Sequence, residues 1–175
     1  MHDRFGFTVA GTLASVVPLL CGVVGAFVAN LPISIFGGLL TPPLFAFMPV
    51  YFWCLVRPDL MPPWAALVLG VLNDLLSGGA MGAWAMAFVV AYALVDRERD
   101  SFAGLSGLGA VLGFAAAVLL ASVTAFAVVA LTYERFPPAA PLILMIGETI
   151  VLYLPVLWLL NLLHHKFVGP LRSDF

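Results

Sequence analysis

Six apolar runs separated by short polar or turn-forming stretches organise the chain, over residues 7–29, 41–56, 62–76, 81–95, 102–131 and 141–163. The separators are Leu31-Pro32, Arg57-Pro58-Asp59, Ser77-Gly78-Gly79, the charged run Asp96 to Asp100, and Tyr133 to Pro138, residues that break or cap helices. A helix needs roughly 20 apolar residues to cross a bilayer. The second, third and fourth runs are shorter, so they either borrow flanking residues such as Ile33 to Leu40 or mark a locally thin bundle. Residues 33–41, with Gly37-Gly38, read as a re-entrant or interfacial piece. The pattern predicts an all-α membrane protein: a six-transmembrane-helix bundle forming one integral membrane domain over residues 1–175.

Composition strengthens this expectation. The 175 residues are 63% hydrophobic and 9% charged, against about 25% charged for a soluble domain, and mean hydropathy is +1.14. Water is not the solvent such a chain is built for. A net charge of −2 with 7 Lys plus Arg leaves no basic surface for several phosphates, which argues against a nucleic-acid partner. Cys21 and Cys54 lie inside apolar runs without metal or redox spacing, so they read as small core residues. The run from Phe7 to Val28 exceeds a signal-peptide core and is followed by further spans, so it reads as a retained first helix.

Basic residues orient the bundle, because short cytoplasmic loops retain Lys and Arg. Six spans place Arg4, Arg57, Arg97, Arg99, Lys166 and Arg172 on one side and only Arg135 on the other, with both termini cytoplasmic. Trp53, Trp64, Tyr92 and Trp158 then fall near inner ends, and Trp84 and Tyr133 near outer ends, where amphipathic rings favour the interface. In the fifth run Gly109, Gly113, Ala117, Ala121 and Ala125 recur every four residues and line one face. Small side chains let backbones approach, which suits internal packing or a docking seam for another membrane protein. Ala10 and Ala14, and Ala83, Ala87 and Ala91, extend the theme.

Carboxylates inside a span cost on the order of 3 kcal/mol, and two fall there: Asp74 and Glu148. Gly70, Asn73, Asp74 and Ser77 share one helical face at i, i+3, i+4 and i+7. Asp74 lies just before the Ser77-Gly78 turn, near the outer surface. Its carboxylate can therefore accept hydrogen bonds from that turn and from the first amides of the fourth helix; ion or ligand binding is the alternative. Glu148 sits near mid-span between Gly147 and Thr149, with no basic residue at comparable depth. It is expected to be protonated, hydrogen-bonded, or exposed to a cavity or partner helix, and a proton-relay or substrate role stays open.

The other polar groups carry less. His164, His165 and Lys166 complement the last helix end and an anionic leaflet, and adjacent histidines make a poor metal site. Asp96 to Asp100 mixes both signs and reads as a solvated loop or a cytoplasmic partner surface. Ser77-Gly78-Gly79-Ala80-Met81-Gly82 lacks the Lys and Ser/Thr of a phosphate-binding loop. No Ser-His, Cys-His or zinc-spaced constellation is present, so no catalytic residue, metal or cofactor is expected.

Arg57-Pro58-Asp59-Leu60, then Pro62-Pro63, then Gly70-x-x-x-Asp74-Leu75-Leu76-Ser77-Gly78 and Gly82, resembles the bacterial rod shape-determining MreD family. Chain length, six apolar segments and cytoplasmic termini fit that family throughout, while the specific motif covers only the third and fourth helices. Asn73 stands where the family usually has Leu, and Glu148 has no counterpart carried over from it. The resemblance implies a non-catalytic inner-membrane subunit of the cell-elongation complex that binds MreC, alongside MreB, RodZ, the transpeptidase PBP2 and the glycosyltransferase RodA. It also implies a fold similar to the S component of energy-coupling-factor transporters. The rival expectation is therefore a membrane module that binds a small molecule or vitamin, and the Ala10 to Ala14 spacing echoes the docking motif of such modules.

Overall fold

Prolines and glycines set where the helices begin and end. In the computed structural model, which describes residues 9–31, 42–99 and 108–168, the helices are α1 (Val9–Ala29), α2 (Phe47–Val56), α3 (Pro63–Ser77), α4 (Ala83–Arg97), α5 (Leu108–Tyr133) and α6 (Ala139–Leu163). A 3-10 turn at Pro58–Leu60 joins α2 to α3, and α6 runs on into a π-type turn, His164–Val168. The described residues contain no strand, so the protein is all-helical there. Pro63 opens α3 and extended Pro138 precedes α6; a proline at a helix start loses no bond, since the first N–H groups have no partner in their own helix. Gly78 ends α3 in the left-handed region (φ 63°), its N–H bonded back to the Asp74 carbonyl.

Two of these elements are long and apolar enough to cross a membrane, Gly109–Tyr133 and Ala139–Lys166. Residues 33–41 and 102–107, the basic Arg4 and Arg172, and Asp100 lie outside the described residues.

The second apolar run departs from expectation. α2 begins at Phe47 rather than at residue 41. Pro42 and Pro43 have no N–H to give, and Leu44 turns its own N–H onto Thr149 Oγ1 of α6 (3.1 Å), so residues 42–46 form a turn. The ten-residue helix after this turn is the centre of the molecule, with every residue from Phe47 to Cys54 buried. A helix apolar on all sides is one surrounded by others. Phe47 meets Phe88 of α4 at 5.2 Å between ring centroids, and Tyr51 meets Phe114 of α5 at 5.2 Å. Phe114 in turn stacks on Tyr153 of α6 at 3.7 Å. The Tyr51 hydroxyl donates to the Ala110 carbonyl at 2.9 Å. One aromatic cluster thus joins four helices.

Helix directions follow from end contacts. The Tyr92 hydroxyl, late in α4, donates to the Met61 carbonyl before α3, and Phe52 and Trp53, late in α2, face His164 just past α6. Asn30, just after α1, donates to Asn73 near the end of α3. Arg57, Arg97 and Lys166 therefore share one end of the bundle. Trp53 and Tyr92, read from the sequence as interface anchors, are 0% and 5% exposed and belong to the core. Trp64, Trp158 and Tyr133 do face outward.

Candidate functional site

The densest set of polar contacts lies where α3 hands over to α4. Gly70 permits it, since a Cβ there would sit 2.6 Å from Ala85 Cα and 2.7 Å from the Trp84 carbonyl oxygen, so only glycine lets the two backbones touch. One turn later Asp74, 2% exposed, turns its carboxylate onto the start of α4. Oδ2 accepts the N–H groups of Gly82 (2.9 Å) and Ala85 (3.1 Å), and Oδ1 accepts that of Trp84 (2.9 Å). Gly82 precedes α4 in the left-handed region (φ 93°) and has no side chain with which to cap it. The acid of the preceding helix supplies the missing cap and complements the positive end of the α4 dipole. The Asp74 carbonyl accepts the Ser77 hydroxyl (3.2 Å) as well as the Gly78 N–H.

Asn73, 5% exposed, accepts from the Asn30 side chain at 3.4 Å, and Asn30 also donates to the Ala26 carbonyl at 2.9 Å. The sequence-predicted residues Gly70, Asn73, Asp74, Ser77, Gly78 and Gly82 are therefore one structural unit, to which Asn30 is an addition no spacing announces. A cavity of about 280 Å³ lies beside it, lined by Asp74, Trp84, Ala125, Pro138 and Met145 among others. With both Asp74 oxygens engaged, the wall it presents is almost entirely apolar.

Arg57 and Asp59 lie at the opposite end. Arg57 Nε and Nη2 donate to Asp59 Oδ1 and Oδ2 at 2.9 and 2.8 Å, a two-pronged ion pair. These bonds hold the Asp59 carboxyl below the usual carboxylate range and raise the Arg57 guanidinium.

Of the small-residue ladder on α5, Gly113, Ala117, Ala121 and Ala125 are buried and Gly109 is half-buried. Helix α5 packs most extensively on α4, whose Ala83, Ala87 and Ala91 are buried too. The ladder serves internal packing.

No family model, no curated protein and no solved structure matches the chain. The chemistry of its residues rests on their own geometry.

Glu148 and Thr149 illustrate how one helical step divides roles. Thr149, fully buried, accepts the Leu44 N–H and donates to the Met145 carbonyl at 2.6 Å, tying the turn before α2 to the middle of α6. Glu148 is half-buried and its Oε1 lies buried without a hydrogen-bond partner, as does Ser122 Oγ on α5. Gly147, open on its outer side, flanks it. At the far end of α6, His164 Nδ1 and the Trp53 indole N–H are likewise buried and unpartnered. Cys21 and Cys54 are free thiols. Among the described residues no three His, Cys, Asp or Glu side chains converge as a metal site would require. Thr149 and Tyr51 are the residues a sequence reading passes over, because a hydroxyl in an apolar run carries no pattern that distinguishes a core bond from packing.

Proposed function

We propose that the chain is a six-span inner-membrane scaffold subunit of the bacterial cell-elongation complex, non-catalytic, acting on peptidoglycan synthesis and cell shape by binding MreC and through it the wider assembly. Its membrane placement is supported by one observation above others: the two long apolar helices bury little of themselves. Only 33% of the most apolar stretch of Gly109–Tyr133 and 17% of that of Ala139–Lys166 is buried within the molecule. The core helix of a water-soluble protein would be mostly buried, so these outer faces call for a hydrocarbon solvent. Leu112, Leu119, Val123 and Leu131 on α5, and Ile143, Val151, Leu154 and Trp158 on α6, are among the exposed residues. The gathering of Arg57, Arg97 and Lys166 at one bundle end agrees with a cytoplasmic orientation for that end.

The scaffold role rests on the resemblance carried by Arg57, Asp59, Gly70, Asp74, Ser77, Gly78 and Gly82, and on what these residues do. They join helices and engage one another, which suits a protein that works by shape. Depletion in a rod-shaped host should round the cells, and the tagged chain should recover MreC from solubilised membranes. Cells that stay rod-shaped, with no MreC recovered, would defeat the reading.

A vitamin-binding module of the S-component type is the second reading, favoured by the cavity of about 280 Å³ beside Asp74. It predicts that a small molecule co-purifies and is displaced when Ala125→Trp fills that cavity. A chain that purifies without any such molecule argues for the scaffold.

A further inference from the structure

We infer that α6 pairs with α6 of a second copy of this chain across a two-fold axis at Gly147, with the two Glu148 carboxyls bonded to each other; this rests on the membrane reading above. Glu148 is the tenth residue of α6, so its Cα lies about 14 Å along a helix of about 38 Å, well inside a hydrocarbon core about 30 Å thick. Its Oε1 is enclosed without a hydrogen-bond partner, yet the residue keeps part of its surface on the outside of the bundle. A polar group left unbonded at that depth is costly. Acyl chains offer it no hydrogen bond, and lipid headgroups and soluble proteins stop short of it. Only another membrane-spanning segment reaches it.

Symmetry selects a second copy among such segments. Leu144, Gly147, Glu148 and Val151 stand at i, i+3, i+4 and i+7 and so share one face of α6. Leu144, Gly147 and Val151 are exposed, and a Cβ placed on Gly147 would find no heavy atom within 4 Å. This is where another helix backbone can come nearest. When two copies inserted in the same direction pair about an axis along the membrane normal, a residue meets its own equivalent only where the two helices cross. The residue suited to the crossing is thus next to the one that needs a bond. A carboxyl that carries its proton gives one hydrogen bond and accepts another, so two of them satisfy each other with nothing else supplied. A helix of a different protein would have to bring a matching polar group to the same depth, whereas an identical chain brings it by construction.

Fluorescence energy transfer between donor-labelled and acceptor-labelled full chains in dioleoyl phosphatidylcholine vesicles tests this. Transfer should rise with the protein-to-lipid ratio and saturate as a dimer. Glu148→Leu should weaken pairing about tenfold, the worth of the two bonds of a carboxyl pair between helices, while Glu148→Gln, which still gives and accepts, should keep it. Gly147→Leu should weaken pairing at least as much in protein whose helicity and melting temperature are unchanged, because the added side chain meets open space within its own molecule. With the free Cys21 and Cys54 replaced by Ala, Gly147→Cys should form a disulfide between copies on oxidation, and Val123→Cys on the exposed face of α5 should not. Monomers at every ratio, which would leave this face to a foreign helix, overturn the inference. So does a dimer that keeps its strength in both Glu148→Leu and Gly147→Leu, or one that cross-links through Val123→Cys in place of Gly147→Cys. Release of the chain from membranes by alkaline carbonate would instead defeat the membrane reading itself, so the two failures are distinguishable.

Discussion

The short-helix half of the molecule and the long pair solve the same problem in opposite ways. Helices α3 and α4 have 15 residues each and extend about 22 Å, while α5 and α6 have 26 and 25 and extend about 38 Å. A short helix leaves a larger share of its backbone in unsatisfied end groups. The short half meets that need with the Asp74 cap and the Ser77 hydroxyl, and adds the side-chain bond between Asn30 and Asn73 and the Arg57–Asp59 pair beneath. The long pair shows few such bonds and a broad apolar surface. Polar chemistry in this protein is concentrated where length is lacking, and mutations should divide along that line.

The largest effect is expected at the cap. Asp74→Ala leaves the N–H of Gly82 and two N–H groups of α4 unbonded beside a void and should cost about 3–5 kcal/mol, read as a fall in detergent melting temperature; a loss under 1 kcal/mol would mean the cap is not what holds the short half together. On the long pair the comparable injury is a charge on the outer face. Val151→Lys, at a position 68% exposed, should cost about 3 kcal/mol of membrane insertion, seen as protein lost from the membrane fraction with little effect on the α3–α4 contacts. Gly70→Leu should come next at about 1–3 kcal/mol or more, because its side chain must displace the backbone of Ala85. Glu148→Gln preserves shape and should change stability by less than about 0.5 kcal/mol; a scaffold should keep its cell-shape phenotype in that variant, and a lost phenotype would move Glu148 into the mechanism. Acid should have the smallest effect. The Asp59 carboxyl is lowered by its bonds from Arg57, so the pair's contribution is present above the usual carboxylate range and lost as pH falls through and below it. Since Asp59 is 51% exposed, only a slight drop in melting temperature is expected as pH falls below the usual carboxylate range, and Asp59→Asn should remove it.

Much of this architecture is legible in the sequence where a polar residue interrupts an apolar run. The α3–α4 turn is an example: an acid four residues before a glycine and eight before another announces a cap, because few other placements satisfy it. Uniformly apolar runs are less informative. Trp53 and Tyr92 lie near helix ends and read as interface anchors, yet a hydrophobic pattern cannot tell a face turned to lipid from one turned to neighbouring helices. The start of α2 is hidden for a related reason. Residues 42–46 are as apolar as the helix after them, and besides Pro42 and Pro43 it is the bond from Leu44 to Thr149, more than a hundred residues away, that holds them out of that helix. Thr149 shares its turn with the more conspicuous Glu148, and a rotation of about 100° separates the two roles.

The Asp74 cap also bears on how such a protein is made. Its three partners, Gly82, Trp84 and Ala85, all come within the next eleven residues. Once Ala85 has left the ribosome, the turn holds every group its carboxylate needs, and nothing later in the chain has to arrive first. The third and fourth helices are thereby equipped to pair as a single hairpin as soon as both exist, ahead of the long helices that follow them.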